Sequence, residues 1–150
     1  VEKPSSFEAN GFSNQKTETS YAKILSIKTL SFKTNDQIYT ALKSIFTANQ
    51  VSSVDLVLSA HNGDPNDDRI SQHLLSALDL ESKYFAFKSV CGEYNTASAF
   101  ALYLASNILN KTSIPGFQYS KITDNKSIKS ILIHNHYRNT HHSFILLSAC

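Results

Sequence analysis

Apolar and polar side chains alternate from Tyr21 through YAKILSIKTLSF in two short phases, Leu25 with Ile27 and then Leu30 with Phe32, which is the period of a strand. Adjacent Ile24 and Leu25 interrupt the alternation and predict a bulge. In TNDQIYTALKSIFTANQ the period lengthens. Ile38, Leu42, Ile45 and Phe46 fall on one side of a helix, behind a Thr34-Asn35-Asp36 start whose side chains can accept from the free first-turn amides. Residues 54–60, VDLVLSA, form a nearly continuous apolar run, the signature of a strand covered on both faces. A polar turn, HNGDPNDD, follows, then a second helix across RISQHLLSALDL with Ile70, Leu74, Leu75 and Leu78 on one side.

YFAFKSV predicts a further strand and CGEYN a loop. TASAFALYLASNIL is apolar nearly all round and rich in good helix formers, so it should be the most buried helix, ended by SIPGFQYS. KSILIHNHY and HSFILLSA, joined by RNTH, are close enough in sequence to form an antiparallel pair. The order β-α-β-α-β-α-β-β predicts an α/β layered domain over residues 20–150: a parallel core, crossover helices, and one antiparallel strand at the end. Residues 1–19 are polar and aperiodic and read as a tail or the remnant of an upstream domain.

Composition narrows the function classes. A chain of 150 residues with 41% hydrophobic side chains can build a core, and a formal net charge of +2 implies no basic face for nucleic acid. No apolar run is long enough for a membrane span, and VEKPSSFEANGF lacks a signal peptide's apolar core, so a cytoplasmic protein is expected. Cys91 and Cys150 are too few for a disulfide framework and lack metal-ligand spacing; Cys91 is expected to be packed rather than reactive. His134, His136, His141 and His142 crowd one hairpin without any zinc-type spacing, and Asp64, Asp67 and Asp68 miss the EF-hand pattern. No metal is expected.

Three segments along nearly the whole domain resemble the C-terminal half of β-ketoacyl-acyl-carrier-protein synthases, of the thiolase-like superfamily. DLVLSAHNGDPNDD, at 55–68, is similar to the family's strand running into an AHGTGTP-type loop. KSVCGEYNTASAFAL, at 88–102, is similar to its KS-x-x-GH-x-x-GASG stretch, and this match is the most specific. SILIHNHYRNTHHSFILL, at 130–147, sits where the family has its closing hairpin with an NSFGFGG-type loop. The resemblance implies a three-layer half domain around a five-stranded mixed sheet, a role in fatty-acid, polyketide or polyene synthesis, and an acyl carrier protein and a second synthase subunit, as homodimer or heterodimer, for partners. It implies no cofactor.

The same resemblance assigns the site residues. In the family a cysteine of the preceding half carries the acyl group while two histidines donate hydrogen bonds to the developing oxyanion. With Gly63, Pro65 and Asp68 held in place, Ala60 falls at the first histidine position and His61 one residue late; along a strand that shift turns the ring to the opposite face. Glu93 stands at the second position, after the matching Gly92, and Lys88 matches a lysine of the family's site. A carboxylate there repels an enolate, and an ion pair with Lys88 is the expected arrangement. Asn135 and His136 fall at substrate-binding positions, before a closing loop, HYRNTHH, that lacks the family's glycines. The expectation is a degenerate, chain-length-factor-like subunit. Two alternatives stay open: an active acyltransferase using His61, Lys88 and Glu93, and a non-enzymatic module that binds carrier or dimerises.

Overall fold

The computed structural model describes residues 20–80, 84–111 and 127–150. The expected tail over 1–19 and the SIPGFQYS segment lie outside them. The described residues contain nine elements: β1 (Lys23–Ser31), α1 (Asn35–Ala48), β2 (Leu56–Ser59), α2 (Pro65–Ala77), β3 (Tyr84–Ala86), α3 (Lys88–Cys91), α4 (Ala97–Leu109), β4 (Ser130–Tyr137) and β5 (His141–Ser148). The strands form one five-stranded sheet in the order β1-β5-β4-β2-β3. β4, β2 and β3 run parallel, and β5 is antiparallel to both β4 and β1. One strand therefore opposes the rest, as expected, but it sits inside the sheet with β1 as the edge beyond it.

Strand alternation splits the core in two. Leu56, Leu58, Ile131, Ile133, Ile145 and Leu147 pack against α4, through Ala97, Ala101, Leu104, Ala105 and Ile108. Val57, Leu132, Phe144 and Leu146 pack on the other face against Ile38, Leu42 and Ile45 of α1 and Ile70, Leu74 and Leu75 of α2. The result is three layers, helix, sheet and helix pair, consistent with the half domain that the resemblance implies.

Local chemistry explains the element ends. Thr34 caps α1 in a reciprocal box with Gln37. Helix α2 begins earlier than its apolar period suggests: Asp64 accepts from Asn66 N, Pro65 is the first helical residue, and Asp67 and Asp68 lie in the first turn, where the helix dipole favours acids. The acidic turn is thus part of a helix. The strand expected over YFAFKSV stops at Ala86, because the ladder to β2 ends where Phe87 N donates to Ser59 O at 3.2 Å and the chain then winds into α3. In β1 the register shifts between Ile24 and Ser26, which is the bulge at Leu25. Its consequence is that Ile27 lies opposite Ile145, on the α4 side, and is 62% exposed, while Leu25 and Leu30 pack on the other side.

These positions make a pair of contrasting tests by urea denaturation. Ile133→Ala, in the fully buried α4-side core, should cost about 3 kcal/mol of stability. Ile27→Ala should change it by less than about 0.5 kcal/mol in the isolated chain.

Candidate functional site

The parallel strands end together, and the loops leaving them carry most of the residues singled out in the sequence. Alternation along β2 sends Ser59 toward α1 and α2, and Ala60 toward α4, where its methyl group is fully buried in the core. His61 therefore turns back to the α2 side. Its Nδ1 lies 2.7 Å from Ser59 Oγ, and its ring stacks on Tyr84 with centroids 5.0 Å apart. Burial lowers the proton affinity of the His61 ring, against an opposing pull from Asp68. The loop that follows is held by Asp68, whose carboxylate accepts from Asn62 N at 2.9 Å and Gly63 N at 3.1 Å.

Lys88 opens α3 with its side chain wholly inside, 0% exposed. Its ammonium donates to both oxygens of Glu93, at 2.8 and 2.7 Å, and to the backbone carbonyl of His136 at 2.9 Å, so all three of its donors are used. Gly92 permits this fold-back: it sits at φ +80°, in the left-handed region that favours glycine. Asn62 Nδ2 lies 3.3 Å from both Glu93 Oε2 and Asp67 Oδ2, tying the loop after β2 to the same carboxylate. The ion pair is therefore the centre of a network that joins the loop after β2, the segment between α3 and α4, and the end of β4.

Asn135 and His136, adjacent on β4, face opposite layers. Asn135 Nδ2 donates to Ser98 Oγ of α4 at 2.8 Å, and its Oδ1 is buried without a partner. His136 instead joins His134 and His142 on the α1–α2 side, with ring centroids 5.6 and 5.7 Å away. His141 is exposed at the hairpin turn, edge-on to Phe32. Among the described residues no group of three or more His, Cys, Asp or Glu is arranged to hold a metal ion. Cys91 is half-buried against the α4-side core, and desolvation there pushes its thiol above its ordinary value despite the opposing hydrogen bond from Tyr94.

The α4 side of the strand ends thus offers a methyl group and an amide, next to a Lys–Glu pair whose ammonium has no donor left. His61 and the buried strand histidines lie behind the sheet. Sequence reasoning missed Asn62, Ser98 and Asn139. The Asn62-Gly63 dipeptide marks a turn, and Ser98 is a polar break in an apolar helix, but neither spacing names its partner.

No protein-family model matches the sequence, and no curated protein does. Solved structures do match in fold. The "PfaC Keto synthase-Chain length factor" structure superposes with a TM-score of 0.70 at 18% identity, covering 91% of this chain and 14% of that one. The oxazolomycin ketosynthase domain OzmH KS8 of Streptomyces albus JA3453 gives 0.66 at 10% identity, covering 87% of this chain and 45% of that one. A type II polyketide-synthase acyl-carrier protein in complex with its ketosynthase, AntDE:AntF, gives 0.59 at 11% identity, covering 87% and 34%. The chain has the thiolase-like fold of one half of these ketosynthases and spans less than half the length of each. No helix among the described residues is long and apolar enough to cross a membrane.

The ion pair and the thiol each yield a measurement. Glu93→Ala should cost about 2 kcal/mol in chemical denaturation, below the cost of breaking a fully buried pair because Glu93 is 43% exposed. Adding Lys88→Met should restore part of that loss, since an apolar side chain leaves no stranded charge. Cys91 should alkylate slowly at neutral pH and accelerate only in the alkaline range.

Proposed function

We propose that this chain is one half of a ketosynthase-like protein of fatty-acid, polyketide or polyene synthesis, and that it shapes an acyl pocket in the manner of a chain length factor without supporting condensation itself. The observation that carries the reading is the content of the two family histidine positions. Ala60 presents a methyl group buried in the core, and Glu93 presents a carboxylate locked onto Lys88. Neither can donate a hydrogen bond to an enolate oxyanion, and a fixed negative charge would oppose its formation. His61 does not substitute, since its ring lies on the α2 side with Ser59 and Tyr84. In this reading Lys88, Glu93 and Asn135 border the acyl pocket, whereas His61 and His136 support the loops from behind.

Two further elements of the reading concern partners. Matching structures include a ketosynthase–chain length factor and a ketosynthase in complex with its acyl-carrier protein. A carrier-borne acyl chain and a second ketosynthase-like half, in the cytoplasm, are accordingly the proposed partners and setting. The surface agrees: Ile27 and Tyr103, on the α4 side, are 62% and 55% exposed, and among the described residues α4 is the long helix on that face of the sheet. A companion half over α4 would bury them.

The test is enzymatic. The full native protein, supplied with acyl-carrier and malonyl-carrier, should form no β-ketoacyl product above the protein-free control. Condensation at the rate of an ordinary synthase would reject the reading.

A further inference from the structure

The β4–β5 turn is fastened in a way that the acyl reading does not use. Tyr137 to Thr140 close it through Thr140 N donating to Tyr137 O at 3.0 Å. Its two central residues, Arg138 and Asn139, sit at φ +48° and +52°, as a type I′ turn needs, yet neither is glycine. Asn139 tolerates left-handed geometry, but at Arg138 it is costly, so the surroundings of the turn help to hold it. Two contacts do so. Asn139 Nδ2 donates to Asn66 O in the first turn of α2 at 2.9 Å, and Asn139 O lies 3.2 Å from Nε2 of His142.

His142 is itself the end of a buried imidazole chain. Its Nδ1 lies 3.2 Å from Nε2 of His134, and the two rings are nearly parallel, 9° apart. While His142 is neutral, its Nε2–H donating to the Asn139 carbonyl leaves Nδ1 to accept from Nε2–H of His134. His136 completes the cluster with both ring nitrogens buried and unpartnered. All three residues are at least 97% buried, with exposures of 3%, 3% and 2%.

The charged and titratable groups around the cluster come from every neighbouring element. Lys88 of α3 and His61 after β2 disfavour protonation, and His141 of β5 does the same at His142. Asp67 of α2 and Glu93 before α4 are the opposing acids at His136, and neither bonds an imidazole. Helix α1 packs on this face through Ile38, Leu42 and Ile45, with Tyr39 partly buried beside them and its hydroxyl donating to Ala77 O. One added proton can be shared by a tautomer switch between His134 and His142. A second leaves two donors facing each other at 3.2 Å in a site closed to water.

We propose that the His134–His136–His142 cluster is an acid-sensitive latch, which holds the strained β4–β5 turn on the N-terminus of α2 while neutral and releases it when protonated. The direction follows from burial, which holds all three rings below the ordinary histidine value and His136 at about 4. Released rings protonate near 6.5, so the closed latch is at full strength above that value. It weakens as pH falls from 6.5 toward about 4, where His136 takes a proton in place.

Amide hydrogen exchange on the full protein, corrected for intrinsic rates, tests this between about pH 7.5 and 5. Amides of 137–142 and 64–68 should lose protection at least about tenfold on acidification while those of α4 keep theirs. His142→Gln, which can still donate to the Asn139 carbonyl, should reduce that response. Protection of the turn that is independent of pH, or that falls only in step with α4, would overturn the latch. So would an undiminished response in His142→Gln.

Discussion

Lys88 carries an ammonium group into a site closed to solvent, and the arrangement of the strand ends follows from satisfying its three donors. Glu93 takes two of them, and for that the chain must reverse at Gly92. The third goes to the carbonyl of His136, which fixes the end of β4 against α3. Asn62 then binds the same carboxylate and brings in the loop after β2. Remove the pair and two loops and the end of β4 lose their common anchor.

The sheet itself does the second piece of work, as a divider. Residues that are neighbours in sequence, Ala60 with His61 and Asn135 with His136, are sent to opposite layers by the pleat. On the α4 side the chain has a methyl group and an amide. On the α2 side it has imidazoles and the carboxylates of a helix N-terminus. A histidine one place late in the sequence thus turns to the side opposite Ala60. The proposed acyl-facing surface accordingly falls on the α4 side of the sheet and the proposed pH-responsive fastening on the α2 side.

Much of this was legible from residue types alone. The continuous apolar run of β2, the helical spacing of Ile38, Leu42, Ile45 and Phe46, and the paired closing strands each state their element, and the broken phase at Ile24-Leu25 marks the bulge. The sequence reading stopped where tertiary partners decide the outcome. Tyr84 to Val90 has the composition of a strand, but strand pairing ends with β2, and the needs of a buried lysine wind the rest into a helix turn. The acids of 64–68 look solvated in sequence because their partners, backbone amides of Asn62, Gly63 and Asn66, leave no trace in side-chain pattern. The exposure of Ile27 follows from a bulge two residues earlier and from how little of that side the described helices cover. Hydropathy along the strand contains neither fact.

The central claim is spatial: the acyl-facing side of these strand ends has no imidazole to offer a thioester carbonyl. A crystal structure of the full native protein with a non-hydrolysable acyl-carrier thioester analogue measures this directly. The account predicts the analogue's carbonyl oxygen next to Ala60 and the Lys88–Glu93 pair, with every histidine ring beyond hydrogen-bond distance. A ring nitrogen of His61 or His136 bonded to that oxygen would contradict it.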